Sequence, residues 1–263
     1  MEFSLSEEQL MIQQAAKDFA QNELLPGIIE RDDAQKFPWE LVEKMVNLGF
    51  MGMMVDEKYG GSGLDTLSYV LVMEELSKVD ASASVMVSVN NSLVCWGLET
   101  FGTEAQKEKY LTRLASGEVI GAFCLSEPEA GSDATSQKTT AIDKGDHYIL
   151  NGTKNFITHG RSGHAAVVIA RTGEPGDNHG MTAFVIERGT PGFSGGKKED
   201  KLGMRASETA EMVFDNCRVH KSQVIGNEGD GFIQAMKVLD GGRISIAALS
   251  LGIAKGAYES AVN

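Results

Sequence analysis

The stretch "RLASGEVIGAFCLSEPEAGSDA", Arg113 to Ala134, is where the reading of this chain turns. Up to Gly117, apolar residues recur at helical spacing. From Val119 they fall into short runs of the strand type. After Cys124 the segment becomes small, polar and bent: Pro128 cannot continue a ladder, and Gly131 lets a backbone come close to something else. The N–H and C=O groups freed at such a strand end need partners. A planar heterocycle with donors and acceptors on its edge satisfies several at once. An ordinary strand-to-loop exit fits the same residues equally well.

Upstream, the pattern is helical throughout. "SEEQLMIQQAAKDFAQNELL" opens with Ser6 and Gln9 in capping-box spacing, and "TEAQKEKYLTRLASG" does the same with Thr103 and Gln106. "PWELVEKMVNLGF" places Pro38 at a helix start, and "LDTLSYVLVMEELSKVD" offers Asp65 as its cap. "ASASVMVSVNNSLVCWGLETFG" is rich in small residues and reads as a helix packed on several sides. Downstream lie six β-rich runs, "VIGAFCLSE", "HYILNG", "TKNFIT", "AAVVIART", "GMTAFVIE" and "AEMVFDNCRV". Asn151-Gly152 between two of them predicts a two-residue hairpin turn. The runs suit a compact antiparallel barrel or sandwich. After "GNEGDGF" a helical pattern returns and is still apolar and periodic at Asn263, as if the chain were cut short there.

The fold expected is therefore α+β and multi-domain. It comprises an all-α N-terminal domain over residues 1–118, a middle antiparallel β-domain over 119–226, and the beginning of a C-terminal helical bundle over 227–263.

Bulk composition narrows the partners. A chain of 263 residues with 42% hydrophobic residues can bury a substantial core. A formal net charge of -13 argues against nucleic acid or an anionic membrane as main partner, though not against a locally held phosphate. Cys95, Cys124 and Cys217 are far apart and read as reduced core thiols, with neither a disulfide framework nor a metal site. The acidic N-terminus is no signal peptide, and no apolar run reaches membrane-spanning length. A cytoplasmic location of the bacterial kind, or an organelle matrix, is the expectation. "GFSGG", Gly192 to Gly196, matches the nucleophile-elbow pattern but is followed by the turn-like "KKEDKLG", so a hydrolase is disfavoured. Met51, Met53 and Met54 are simplest as core filler, although flexible pocket walls would also suit an acyl chain.

The segment "AFCLSEPEAGSDA" resembles the flavin and substrate loop of the acyl-CoA dehydrogenases. "EKYGGSGLD", "FGTEAQKEKYL", "LNGTKNFIT", "KLGMRASETAEMVFDNCRV" and "LDGGRISIAALSLGIA" also resemble that family, in order and at its usual spacing. The resemblance covers the whole chain and points to the short-chain, butyryl-CoA type. It implies FAD as cofactor. The flavin would lie along Phe123, Cys124, Leu125, Ser126, Glu127, Pro128, Glu129, Ala130, Gly131 and Ser132, with Leu125 and Ser126 at its pyrimidine edge. Phe156, Ile157 and Thr158 would pack on the other side of the ring, with Thr158 near its reactive nitrogen. Ser132 would also touch the pantetheine arm, and Asp240, Gly241, Gly242 and Arg243 would meet the CoA moiety. Phe156 stands where the family usually has Trp, keeping an aromatic face with less area. His159 stands where Asn is common and is expected to be a solvent-facing turn residue.

The implied reaction is α,β-dehydrogenation of a short-chain acyl-CoA thioester to the trans-2-enoyl-CoA, with electrons passed to an electron-transferring flavoprotein and assembly as a homotetramer. The base is usually a glutamate that would fall beyond Asn263. A subset places it immediately before the arginine of the "LD..R" motif, and that position here is Gly242. No catalytic residue is assigned: Glu127 and Glu129 match motif positions that are not catalytic, and the 263-residue chain alone is expected to be inactive. Two other readings stay open, a non-catalytic module that binds flavin or acyl-CoA, and an acyl-CoA oxidase.

Overall fold

The computed structural model of the chain describes residues 4–174, 176–177 and 179–262. Asn263, at which the last helix was expected to break off, and the first three residues of the acidic N-terminal stretch lie outside the described residues.

The first helix, α1 (Glu7–Phe19), starts at the expected capping box. The Ser6 hydroxyl accepts from the Gln9 N–H at 3.2 Å and the Gln9 amide oxygen accepts from the Ser6 N–H at 3.0 Å. It runs on through a π-helical turn, Ala20–Leu24. Next come α2 (Ile28–Ala34) and α3 (Trp39–Asn47), the latter entered from Pro38. Asp65 caps α4 (Thr66–Ser77) and Asp80 caps α5 (Ala81–Ser88), each carboxylate accepting from backbone N–H groups of the first turn. A second π-helical segment, Val89–Cys95, joins α5 to α6 (Trp96–Phe101). The Thr103–Gln106 capping box opens α7 (Glu104–Gln106), which continues through the π turn Lys107–Leu111 into α8 (Thr112–Ala115). Met51 and Met53 are fully buried among these helices beside Phe19, Met45 and Met73, the filler role expected of them.

Among the described residues eight strands follow: β1 (Gly121–Cys124), β2 (Thr140–Asp143), β3 (His147–Thr158), β4 (Ala165–Arg171), β5 (Met181–Glu187), β6 (Phe193–Lys198), β7 (Thr209–His220) and β8 (Val224–Ile225). They form one sheet in the order β6-β7-β3-β2-β4-β5-β8, with β1 added against β4. Most pairs are antiparallel, but β1 runs parallel to β4 over four residues and β2 touches β4 in parallel at its first residue, so the sheet is mixed. The long helix α9 (Gly231–Val262) packs back on α4 and α5, and its Ser245 hydroxyl bonds Ser88 of α5 at 2.8 Å. Its outer face leaves Ile244, Leu251, Ile253 and Tyr258 exposed. No helix among the described residues is long and apolar enough to cross a membrane.

One local expectation fails. Asn151-Gly152 is not a hairpin turn; β3 passes straight through it. Gly152 adopts φ 151° at a shift of register with β7, and a Cβ there would lie 2.6 Å from the Thr139 Cα. The glycine is required by the close approach of the neighbouring strand, at a bulge. Asn90, which heads an Asn-x-Ser triplet of the surface glycosylation type, is fully buried. Its amide nitrogen donates to the carbonyls of Met51 and Leu114, and its amide oxygen accepts from the Gly121 N–H at 3.0 Å. One side chain of the π-helical segment thereby ties the turn after α3 and helix α8 to the start of β1. The "GFSGG" stretch lies in strand β6 with no helix after it, which removes the nucleophile-elbow reading.

Candidate functional site

The bent segment after β1 is held from beneath by a buried ion pair. Lys154 of β3 has no solvent exposure, and its ammonium donates to three acceptors: the Leu125 carbonyl at 3.1 Å, Glu127 Oε1 at 2.7 Å and Gln137 Oε1 at 2.7 Å. Glu127 also accepts from the backbone N–H groups of Lys138 and Thr139. Burial by itself would raise the Glu127 carboxyl; the Lys154 charge, its hydrogen bond and the two amide donors outweigh that and hold it below the usual carboxylate range. Glu127 is thus a structural anion and not a free base. Glu127 and Ala130 exchange backbone hydrogen bonds at 3.0 and 3.1 Å, closing a tight turn around Pro128 and Glu129. Pro128, Glu129, Gly131 and Ser132 are exposed, Leu125 and Ser126 half-buried, and Ala130 buried. Glu129 pairs with Lys138 at the surface.

Phe123 and Cys124 are buried, aligned with Val167 and Val168 of β4. Burial pushes the Cys124 thiol up to about 12, so it stays protonated and unreactive.

The second segment meets the first directly. The Asn155 N–H donates to the Ser126 carbonyl at 2.8 Å, locking β3 to the end of β1. Immediately after, β3 shifts register against β7 between Lys154 and Ile157. Within that irregularity Phe156 takes φ 56° and leaves its ring 65% exposed. A left-handed aromatic residue costs about 1–3 kcal/mol of strain, offset here by the Lys154 and Asn155 anchors immediately before it. Ile157 is buried and Thr158 half-buried. Gly131 faces open space, since a Cβ built there meets nothing within 4 Å. An outward aromatic ring, two adjoining strand-end backbones and an unobstructed glycine fit a flat ring system of the flavin type.

Asp240, Gly241, Gly242 and Arg243 follow one another on α9. Asp240 and Arg243 are exposed and ion-paired with each other; Gly241 is exposed and Gly242 buried. Gly242 and Arg243 line a cavity of about 290 Å³ whose walls include Ser88, Val89 and Leu93 from the other side. A Cβ on Gly242 would come within 2.8 Å of the Leu93 methyl, so the bare glycine keeps that space open. Leu125, Leu93 and Leu239 pack on one apolar cluster, which links the bent segment to this cavity. Sequence reasoning did not single out Ser88, Val89 or Leu93. All three lie in the stretch "ASASVMVSVNNSLVCWGLETFG", which by its small residues reads only as tight helix packing.

His159 is a correction. It is 1% exposed and not at a solvent-facing turn. Its Nδ1 lies 2.8 Å from the Gly121 carbonyl, and because a carbonyl only accepts, Nδ1 carries the proton. Burial pushes its pKa down, so the ring is neutral.

The family described as acyl-CoA dehydrogenase, N-terminal domain, matches residues 6–118, and the acyl-CoA dehydrogenase middle domain matches residues 122–217. A short-chain specific acyl-CoA dehydrogenase from Clostridium acetobutylicum is 48% identical over 261 residues, which is 99% of this chain and 69% of that protein. Butyryl-CoA dehydrogenase from Megasphaera elsdenii superposes with a TM-score of 0.96 at 46% identity, over 100% of this chain and 70% of that one. A chain from a structural study of the electron transferring flavoprotein of Acidaminococcus fermentans and flavin-based electron bifurcation superposes at 0.97 with 50% identity, over 100% of this chain and 69% of its own length.

Proposed function

Since this chain belongs to the acyl-CoA dehydrogenase family, we propose that it carries the flavin and thioester site of an enzyme that dehydrogenates short-chain acyl-CoA esters to trans-2-enoyl-CoA. The observation that carries the reading is the junction of Ser126 with Asn155. It sets the bent segment beside the outward Phe156 ring and leaves both open on one side.

FAD bound there would supply the two-electron acceptor. The chain's own residues hold and shape. Leu125, Ser126 and Ser132 would meet the ring edge and the pantetheine arm, while Phe156, Ile157 and Thr158 back the ring. Arg243 of α9 would hold the CoA portion. An α-proton of a thioester is a weak acid, so the surroundings must be dry for hydrogen bonds to the thioester oxygen to count. Phe123, Leu125 and Ile157 keep that side apolar. Glu127 is engaged by Lys154 and Glu129 by Lys138, so neither is offered as the base, and no catalytic base is assigned among these residues. Electrons would leave to an electron-transferring flavoprotein, and a homotetramer is the expected assembly.

Anaerobic addition of butyryl-CoA to the flavin-loaded full-length protein tests this reading. Bleaching of the flavin absorbance, with slow reoxidation in air, is the outcome expected. Rapid reoxidation by oxygen would make it an oxidase, and an unbleached flavin that still binds the ester would make it a binding module.

A further inference from the structure

The π-helical segment Val89–Cys95 lies between the two halves of the candidate site. Its turn is wide: the Trp96 N–H donates to the Asn91 carbonyl, five residues back. Such turns are rare inside α-helices and frequently mark functional places. Two adjacent side chains of the segment press on glycines in two different elements. Val94 faces Gly121, the first residue of β1, where a Cβ would stand 2.5 Å from a Val94 methyl and 2.9 Å from the Val94 Cβ. Leu93 faces Gly242 of α9, where a Cβ would come within 2.8 Å of a Leu93 methyl. Neither glycine has a positive φ, so each is there for its missing side chain, which allows the close approach. Hydrogen bonds fix both contacts. Toward β1, the buried Asn90 amide accepts from the Gly121 N–H at 3.0 Å and is itself held by the carbonyls of Met51 and Leu114. Toward α9, the Ser88 and Ser92 hydroxyls lie 2.8 and 3.4 Å from the Ser245 hydroxyl, which donates to the Gly242 carbonyl at 2.9 Å. Asn91 anchors the segment from behind, accepting from the Met53 N–H and donating to the Phe50 carbonyl.

On the dehydrogenase reading, we propose that this segment is the spacer of the site, with Asn90 and Val94 as positioning residues. It sets how far the flavin segment at the end of β1 stands from the wall where α9 would hold the CoA ester. Both residues are buried and act through Gly121, four residues ahead of Leu125. Gly121→Ala drives a wedge into that spacing. Carbon atoms in contact stand about 3.5–4.0 Å apart, so strand and segment must part by roughly 1 Å. Rotating Val94 gives no relief, because its Cβ is part of the clash. A misplacement of that size between reacting partners can cost roughly a hundredfold in rate.

The flavin-loaded full-length parent and Gly121→Ala are compared in four measurements. These are flavin content, calorimetric titration with crotonyl-CoA, the change crotonyl-CoA makes in the flavin absorption spectrum, and anaerobic bleaching at saturating butyryl-CoA. The variant is expected to keep its flavin and its affinity for crotonyl-CoA, since each half of the site moves as a unit. The spectral change should shrink, and bleaching per bound flavin should slow roughly ten- to hundredfold. Adding Val94→Ala removes the two clashing methyls, so the double variant should bleach faster than Gly121→Ala while unfolding at lower urea. If Gly121→Ala yields no folded protein, Val94→Ile thickens the same wedge from the other side and carries the same expectations. A parental bleaching rate and spectral change in the wedge variant would overturn the proposal. So would a loss confined to flavin content or ester affinity, or a double variant slower than the single one, since those are the marks of a merely structural contact. A parent that butyryl-CoA never bleaches would remove the dehydrogenase reading, and this inference with it.

Discussion

Replacing Lys154 by Met strikes the element on which the candidate flavin segment stands. The ammonium is completely buried and makes three charge-assisted hydrogen bonds, to Leu125, Glu127 and Gln137. Taken separately at about 1.5–3 kcal/mol each they would sum to more than the change can cost, because one ammonium makes all of them and they are lost together. The better measure is the penalty of leaving a buried carboxylate without its counter-charge, about 3–5 kcal/mol. The N–H groups of Lys138 and Thr139 remain on Glu127 and keep the loss toward the lower end. Urea unfolding followed by circular dichroism reads the stability change, and flavin absorbance after gel filtration reads retention of the cofactor. Both should fall. A double variant, Lys154→Met with Glu127→Leu, should recover part of the stability, since no unpaired charge remains, but little of the flavin, since nothing then draws Leu125 and the turn together. A single variant that loses less than about 1 kcal/mol and keeps its flavin would refute the reasoning, because a surface-like pair has that value.

Gly131→Val should leave the melting temperature nearly unchanged, as its Cβ meets nothing within 4 Å, yet strip the flavin by occupying the space the ring needs; a fully yellow variant would contradict the placement. Arg243→Ala should weaken butyryl-CoA binding by about 1–3 kcal/mol in a calorimetric titration, the loss of one charged hydrogen bond, and an unchanged affinity would remove Arg243 from the CoA contact. Acid should loosen the bent segment. The Glu127 carboxyl is lower in the folded chain than its free value of 4.5, so the stability it contributes is present above that value and is lost as pH falls through the folded one. Flavin release monitored between pH 6 and 3 should therefore begin below about 4.5 in the parent and lose that acid limb in Glu127→Gln.

How much of this was legible beforehand follows the reach of each interaction. Ser6 with Gln9, Thr103 with Gln106, and Asp65 ahead of its helix are contacts within a single turn, so the residues that make them stand side by side in the chain. The change of period at Val119 is likewise local, and it separated the helices from the sheet. The bend at Leu125 to Ser132, and its resemblance to a flavin loop, were likewise read from residues adjacent in the chain. Folding alone decided what supports the bend. Lys154 reaches Glu127 across 27 positions, and Asn90 reaches Gly121 across 31. No period or cap connects such partners. They meet because β3 crosses beneath the end of β1 and because the buried helix ahead of the sheet turns an amide toward it. The same distance limit explains the two misread residues. Gly152 resembled a turn because the chain beside it does not show Thr139 pressing on it, and His159 resembled a surface residue because its cover comes from β1 and the helices. A sequence states what each residue prefers among its neighbours. Which polar groups are sealed from water, and therefore must be paired, is fixed only when distant segments close over them.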